Sequence, residues 1–129
     1  MEVPVAVTGR DTSAEKYIRT SRRFLAQAQE EFDKGDMLQA SEKAWGAAAQ
    51  AVKATAEQRG WEHSTHARLF ENVKKISQET GDAELYDLFH VANSLHQNFY
   101  EGWQTDDFVQ RGILRVKVLV DRLAALVIE

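Results

Sequence analysis

Apolar residues recur along this chain at three- and four-residue steps, and the runs are cut by glycines at 35, 60, 81 and 102. That spacing predicts helices joined by short turns. Each glycine follows a stretch of helical period, where a residue without a Cβ can turn left-handed and close the helix. Starting signals accompany them. Thr12 with Glu15 and Asp36 with Gln39 have the spacing of capping boxes, Ser64, Asp82 and Thr105 are further N-cap candidates, and Asp106 and Asp107 set negative charge on a helix N-terminus. The pattern predicts five helices, over 13–34, 36–59, 64–79, 82–101 and 105–128. Apart from the short Val3–Val7 stretch, no run alternates with period two, so no sheet is expected. The expected fold class is all-α, an up-and-down bundle of four to five helices over 13–129 behind a flexible tail, 1–12.

The faces of the helices differ. The first carries one stripe, Tyr17, Ile18, Ser21, Phe24, Leu25, Ala28 and Phe32, opposite a charged side. In the second, Leu38, Ser41, Trp45, Ala48, Ala49, Val52 and Ala56 share a face whose small residues admit a neighbouring backbone around one large indole. Gly46 costs about 1 kcal/mol in a helix interior and so calls for something packed against it. The third aligns His66, Leu69, Phe70, Val73 and Ile76. On the fourth, at about 100° per residue, Leu85, Phe89, Ala92, His96, Phe99 and Trp103 form one arc with His96 at its centre. Asn93, Tyr100 and Tyr86 flank it, so a polar group is expected to enter the interior together.

The last helix is apolar on two sides. Val109, Ile113, Val116, Val120, Leu123 and Val127 make its core stripe, and Leu114, Val118 and Ala125 form a second line opposite. Leaving Leu114 and Val118 in water forgoes roughly 1.5–3 kcal/mol each. The expected cover is a second copy of the chain, in a homodimer; the alternative is that Val3, Val5 and Val7 fold back over the line.

Composition narrows the classes. A chain of 129 residues with 43% apolar content closes one core without staples, and the absence of cysteine removes disulfides and thiolate zinc sites. A reducing cytoplasm fits, and neither an export signal nor a membrane span is expected. The net charge of −4 opposes tight non-specific adhesion to nucleic acid, although a local patch for RNA stays open. Lys16, Arg19 and Arg23 line the first helix and Arg111, Arg115 and Arg122 the last, both interleaved with acids and without exposed aromatics for base stacking.

The strongest candidate chemistry is the polar group around His96. Asn93 and Tyr100 stand one turn away on the same helix, while Ser41 and Glu42 lie on the second helix with Trp45. If the two helices face each other, the group forms a hydrogen-bonded network or a small-ligand pocket, and His96 beside a phenol and a carboxylate has the makings of a general acid or base. The bland reading is a satisfied core histidine that sets helix register. Glu62, His63 and His66 supply only half of a metal ligand set, and the Glu-x-x-His pairs of di-iron bundles are missing, so neither a metal nor another cofactor is expected. His66, near a helix N-terminus, should resist protonation.

Three segments resemble one family when taken together: Gly35-Asp36 with the run from Gln39 to Ala54, then residues 59–66, and finally residues 88–103, which include His96-Gln97-Asn98-Phe99-Tyr100-Glu101. They are similar to the PaREP family, helical proteins of the HEPN-like superfamily that has nucleotide-binding, toxin and RNase members. The resemblance implies a bundle with an extra helix, often dimeric. RNases of that superfamily carry an Arg, four to six residues, then a His; before His96 those places hold Phe89, His90 and Val91, and only Arg59 with His66 matches. Chance supplies roughly one such match in this composition. The expected function is therefore a non-enzymatic binding or regulatory module, with Ser41, Glu42, Trp45, His66, Asn93, His96 and Tyr100 as ligand-binding candidates for a nucleotide or RNA. The rivals are an RNase or toxin-type enzyme using His96, Tyr100 or His66 as the catalytic group, and a structural dimerisation module with a satisfied polar core.

Overall fold

The computed structural model describes residues 12–128. The tail over 1–11, including the Val3, Val5 and Val7 line, lies outside the described residues. Five helices follow: α1 (Ser13–Asp33), α2 (Met37–Arg59), α3 (His66–Thr80), α4 (Glu84–Glu101) and α5 (Asp106–Ile128). Among the described residues there is no strand, and no helix is long and apolar enough to cross a membrane. The all-α reading holds.

Most of the termini obey the expected local chemistry. Thr12 and Glu15 close a reciprocal capping box, Asp36 accepts from Gln39 N at 3.0 Å, and Thr105 Oγ1 accepts from Phe108 N. Gly35, Gly60, Gly81 and Gly102 all take positive φ. Two expected caps move. Thr65, not Ser64, caps α3 by accepting from Arg68 N at 3.1 Å, because the loop after Gly60 runs two residues further, held by Asn72 Nδ2 donating to Glu62 O. Helix α4 starts at Glu84 behind Ala83, which offers no side-chain cap. Asp82 instead accepts from Glu84 N and holds Arg122 at 3.2 Å, tying the start of α4 to α5.

Helix α2 is the axis of the bundle and packs against all four others. Its alanines explain how: Ala40, Ala44, Ala47, Ala48, Ala51 and Ala54 are completely buried on several sides of the helix, so neighbours approach it from most directions. The single-face reading of this helix was too narrow, and Leu38, at its first turn, is exposed rather than buried. Gly46 does meet a neighbour: a Cβ there would lie 3.0 Å from the Phe24 ring of α1. Ser21, buried on α1, donates to Ala47 O at 2.6 Å and satisfies itself inside the α1–α2 contact.

The buried face of α4 is rotated from the expected arc. Leu85, Leu88, Phe89, Ala92, Leu95 and Asn98 form it. His96 sits at its edge with 22% of its side chain exposed, and Trp103, beyond the helix end, is 57% exposed. The physical reason is that α4 is clamped between α2 and α5 rather than laid on α2 alone. Leu88 and Leu95 are fully buried in that face, Leu95 against Gly112 of α5, and His96 is left at the rim.

Candidate functional site

His96 Nδ1 lies 2.9 Å from Glu42 Oε1, across the α2–α4 contact. A carboxylate oxygen accepts, so this bond sets a proton on Nδ1 and leaves Nε2 turned away from Glu42. The imidazole also lies over the indole of Trp45, with centroids 5.0 Å apart and planes 28° apart. His66, the first residue of α3, covers the same indole at 4.7 Å and 16°. The two imidazole centroids are 5.1 Å apart. Rings stacked on opposite faces of one indole would be separated by two contact layers, roughly 7 Å or more. Both imidazoles therefore lie on one face of Trp45, side by side, as a second aromatic layer.

This layering explains the burial order. Trp45 is only 6% exposed because the imidazoles roof it, while His66 is open to solvent. Phe89 meets Trp45 from the core at 5.4 Å. Tyr100, largely exposed, sets its edge against His96 at 5.3 Å and 87°. The His66 imidazole is held below the ordinary histidine value, first because the ring gives up water where it lies on Trp45, and next because His96 would repel a second positive charge; Glu42 pulls the other way. The expected resistance to protonation at His66 is present, with desolvation first and the charge of His96 next among its causes.

Ser41 and Asn93 do not join this group. Ser41 is fully buried and donates to Met37 O at 2.8 Å, and it accepts from Asn98 Nδ2 at 3.0 Å. Asn98 Oδ1 in turn accepts from Gln104 N at 2.8 Å, and Gln104 Nε2 donates to Ser94 O at 3.2 Å. A second polar relay thus runs beneath the rings and fastens the α4–α5 turn to α2. Asn93 is half-buried and forms no hydrogen bond to His96, Glu42 or Ser41. The interior amide is Asn98, one residue off the last turn of the expected arc. The available signal was its place three residues after Leu95 and four before Gly102.

The remaining candidates are structural. His63 lies away from the rings, with Nε2 2.8 Å from Glu57 and its ring edge-on to Tyr17. Among the described residues no group of three His, Asp or Glu is arranged to hold a metal ion. Arg59, which matches the superfamily spacing with His66, is engaged by Glu79 and lies over the Trp61 ring, and the Glu79 partnership raises its pKa. The reading of Arg111 and Arg115 as a face without aromatics is corrected: both line a groove with Trp103 and Phe108, which the turn after Gly102 leaves exposed. A cleft of about 580 Å³ opens over Asn98 between the α1–α2 and α4–α5 turns, away from the ring layer.

No curated protein matches this chain. A crystal structure of a protein from Sulfolobus solfataricus superimposes with a TM-score of 0.70 over 82% of this chain and 94% of that one, at 22% identity, a likeness of fold. The sequence pattern of one family covers residues 16–120 and so takes in both the ring layer and the buried relay; the chain belongs to the archaeal PaREP1/PaREP8 family.

Proposed function

We propose that this protein is a non-enzymatic, HEPN-like binding or regulatory module of the cytoplasm that takes a planar ligand, such as the base of a nucleotide or RNA, on the face made by Glu42, Trp45, His66, His96 and Tyr100. The observation that carries the reading is the side-by-side pair of imidazoles lying on Trp45, at centroid distances of 4.7 and 5.0 Å, with His66 open above. Two small rings tiled over one indole, tilted 30° to each other, span about the extent of a purine, and such stacking tolerates any base. The Nε2 of His96 and the Tyr100 hydroxyl stand at its margin as polar contacts. Ser41, bonded to Asn98 in the buried relay, and Asn93 stand outside this face.

The experiment is a thermal-shift and tryptophan-fluorescence titration with mononucleotides and short RNA oligomers. A saturable shift that is lost in His66→Ala is expected; titrations flat for every ligand up to millimolar concentration remove the reading. One observation favours the rival enzyme. The Glu42–His96 contact at 2.9 Å is the carboxylate–imidazole pairing used by general bases. RNA cleavage that disappears in His96→Gln and in Glu42→Gln would establish it.

The module pairs with a second copy along α5. Leu114 is 52% exposed and Ala125 is exposed, while Val118 is half-buried against the core and leaves a narrower strip than the periodicity implied. Sedimentation across a hundredfold concentration range tests this: Leu114→Asp should shift a dimer to monomer, and a monomeric mass throughout ends the proposal.

A further inference from the structure

A separate groove between α4 and the start of α5 has a volume of about 580 Å³, within the range of small-molecule sites. Six large hydrophobic residues are exposed among the described residues, and three of them, Trp103, Phe108 and Leu114, at 57%, 63% and 52%, line this one groove. Exposure concentrated in this way marks a surface that binds something. Most of the polar side chains there are already occupied. Gln104 Nε2 donates to Ser94 O and Oγ, Ser94 Oγ donates to Val91 O, and Arg115 is held by Glu84 at 2.8 Å. Arg111 remains, lining the groove with no acidic partner among the described residues.

We infer that this groove binds a small amphiphilic anion, an aromatic or aliphatic body with a single carboxylate or sulfonate, whose apolar part lies between Trp103, Phe108 and Leu114 and whose charge meets Arg111. The guanidinium is a weakly hydrated, planar donor suited to such a group, and its pairing is worth more beside apolar walls than in open water. One free cation suits one negative charge. A nucleic-acid strand would need several, and Asp106 and Asp107 at the head of α5 oppose a polyanion. The site lies across α4 from the ring layer, so its occupancy is independent of ligand binding there, whereas it shares Leu114 with the α5 pairing surface proposed above.

The test uses two fluorescent probes of one shape, the anionic 8-anilinonaphthalene-1-sulfonate and its uncharged relative N-phenyl-1-naphthylamine, on the full chain. One saturable site per chain is expected for the anion, with energy transfer from tryptophan. Arg111→Gln should weaken the anion about tenfold and leave the neutral probe unchanged, and Phe108→Ser should weaken both. Decanoate should displace the anionic probe at least tenfold better than 1-decanol. Circular dichroism confirms that each variant is folded, as both positions are exposed. Absence of saturable binding, or Arg111→Gln with unaltered affinity for the anion, overturns the inference. So does displacement by a short RNA with a steep salt dependence, or exclusion of both probes by a second copy.

Discussion

Replacing Asn98 by Ala removes both ends of the buried relay. Gln104 N loses its 2.8 Å acceptor and Ser41 Oγ loses the 3.0 Å bond it receives from Nδ2, while its own bond to Met37 O at 2.8 Å survives. An orphaned buried donor costs about 1–3 kcal/mol. The truncation also leaves a small void where the amide stood, in a side chain only 1% exposed. Together these come to about 2–3 kcal/mol, and for a domain of this size each kcal/mol moves the melting temperature by roughly 4 °C. Asn98→Ala should therefore melt about 8–12 °C below the parent. Asn93→Ala is the control: it breaks no hydrogen bond, and alanine is the better helix former, so its effect should stay within about 0.5 kcal/mol. Thermal denaturation followed at 222 nm reads both, and hydrogen exchange at the Gln104 amide reports the relay directly. If the two variants melt together, or Asn98→Ala lies within about 2 °C of the parent, the relay contributes nothing and the argument fails.

Four further outcomes follow from the packing and charges. Gly112→Ala should destabilise by about 1–3 kcal/mol, since its Cβ would come within 3.0 Å of both Leu95 methyls in a fully buried contact. Gly46→Ala should be near neutral when both variants are compared by urea titration, because it meets the half-buried Phe24 ring at 3.0 Å, a group free to shift, and gains helix propensity. By NMR the His66 ring should titrate below the ordinary histidine value; His96→Gln should move the midpoint up and Glu42→Gln should move it down, and the opposite order would refute the assigned causes. The same shift sets a sign for stability. The unfolded chain binds the His66 proton first as pH drops, so this group's contribution is intact above the ordinary histidine pKa and is lost between that value and the lower folded one. Denaturation midpoints that rise over that window, once compared with His66→Ala, would contradict it.

Much of the site's membership was legible because helical period assigns residues to faces. His96 and Glu42 do meet across the α2–α4 contact, and Trp45 is the buried indole that its alanine neighbours foretold. His66 aligns with Leu69, Phe70, Val73 and Ile76 yet is open to solvent: periodicity reports the direction of a side chain but not whether a neighbour reaches that far, and the first residue of α3 overhangs the rim. Asn98 was passed over because an amide near a helix end looks no different in sequence whether solvent or a buried serine awaits it.

Local chemistry alone determined the five helices and nearly all of their ends, since caps, glycine turns and apolar period act within a few residues of chain. Tertiary packing decided the rest. How far α4 rotates depends on packing against α2 and α5 at once, and that rotation sends His96 to the edge and Asn98 inside. Two imidazoles thirty residues apart come to share one face of Trp45 through the same constraint, which no stretch of sequence read by itself contains.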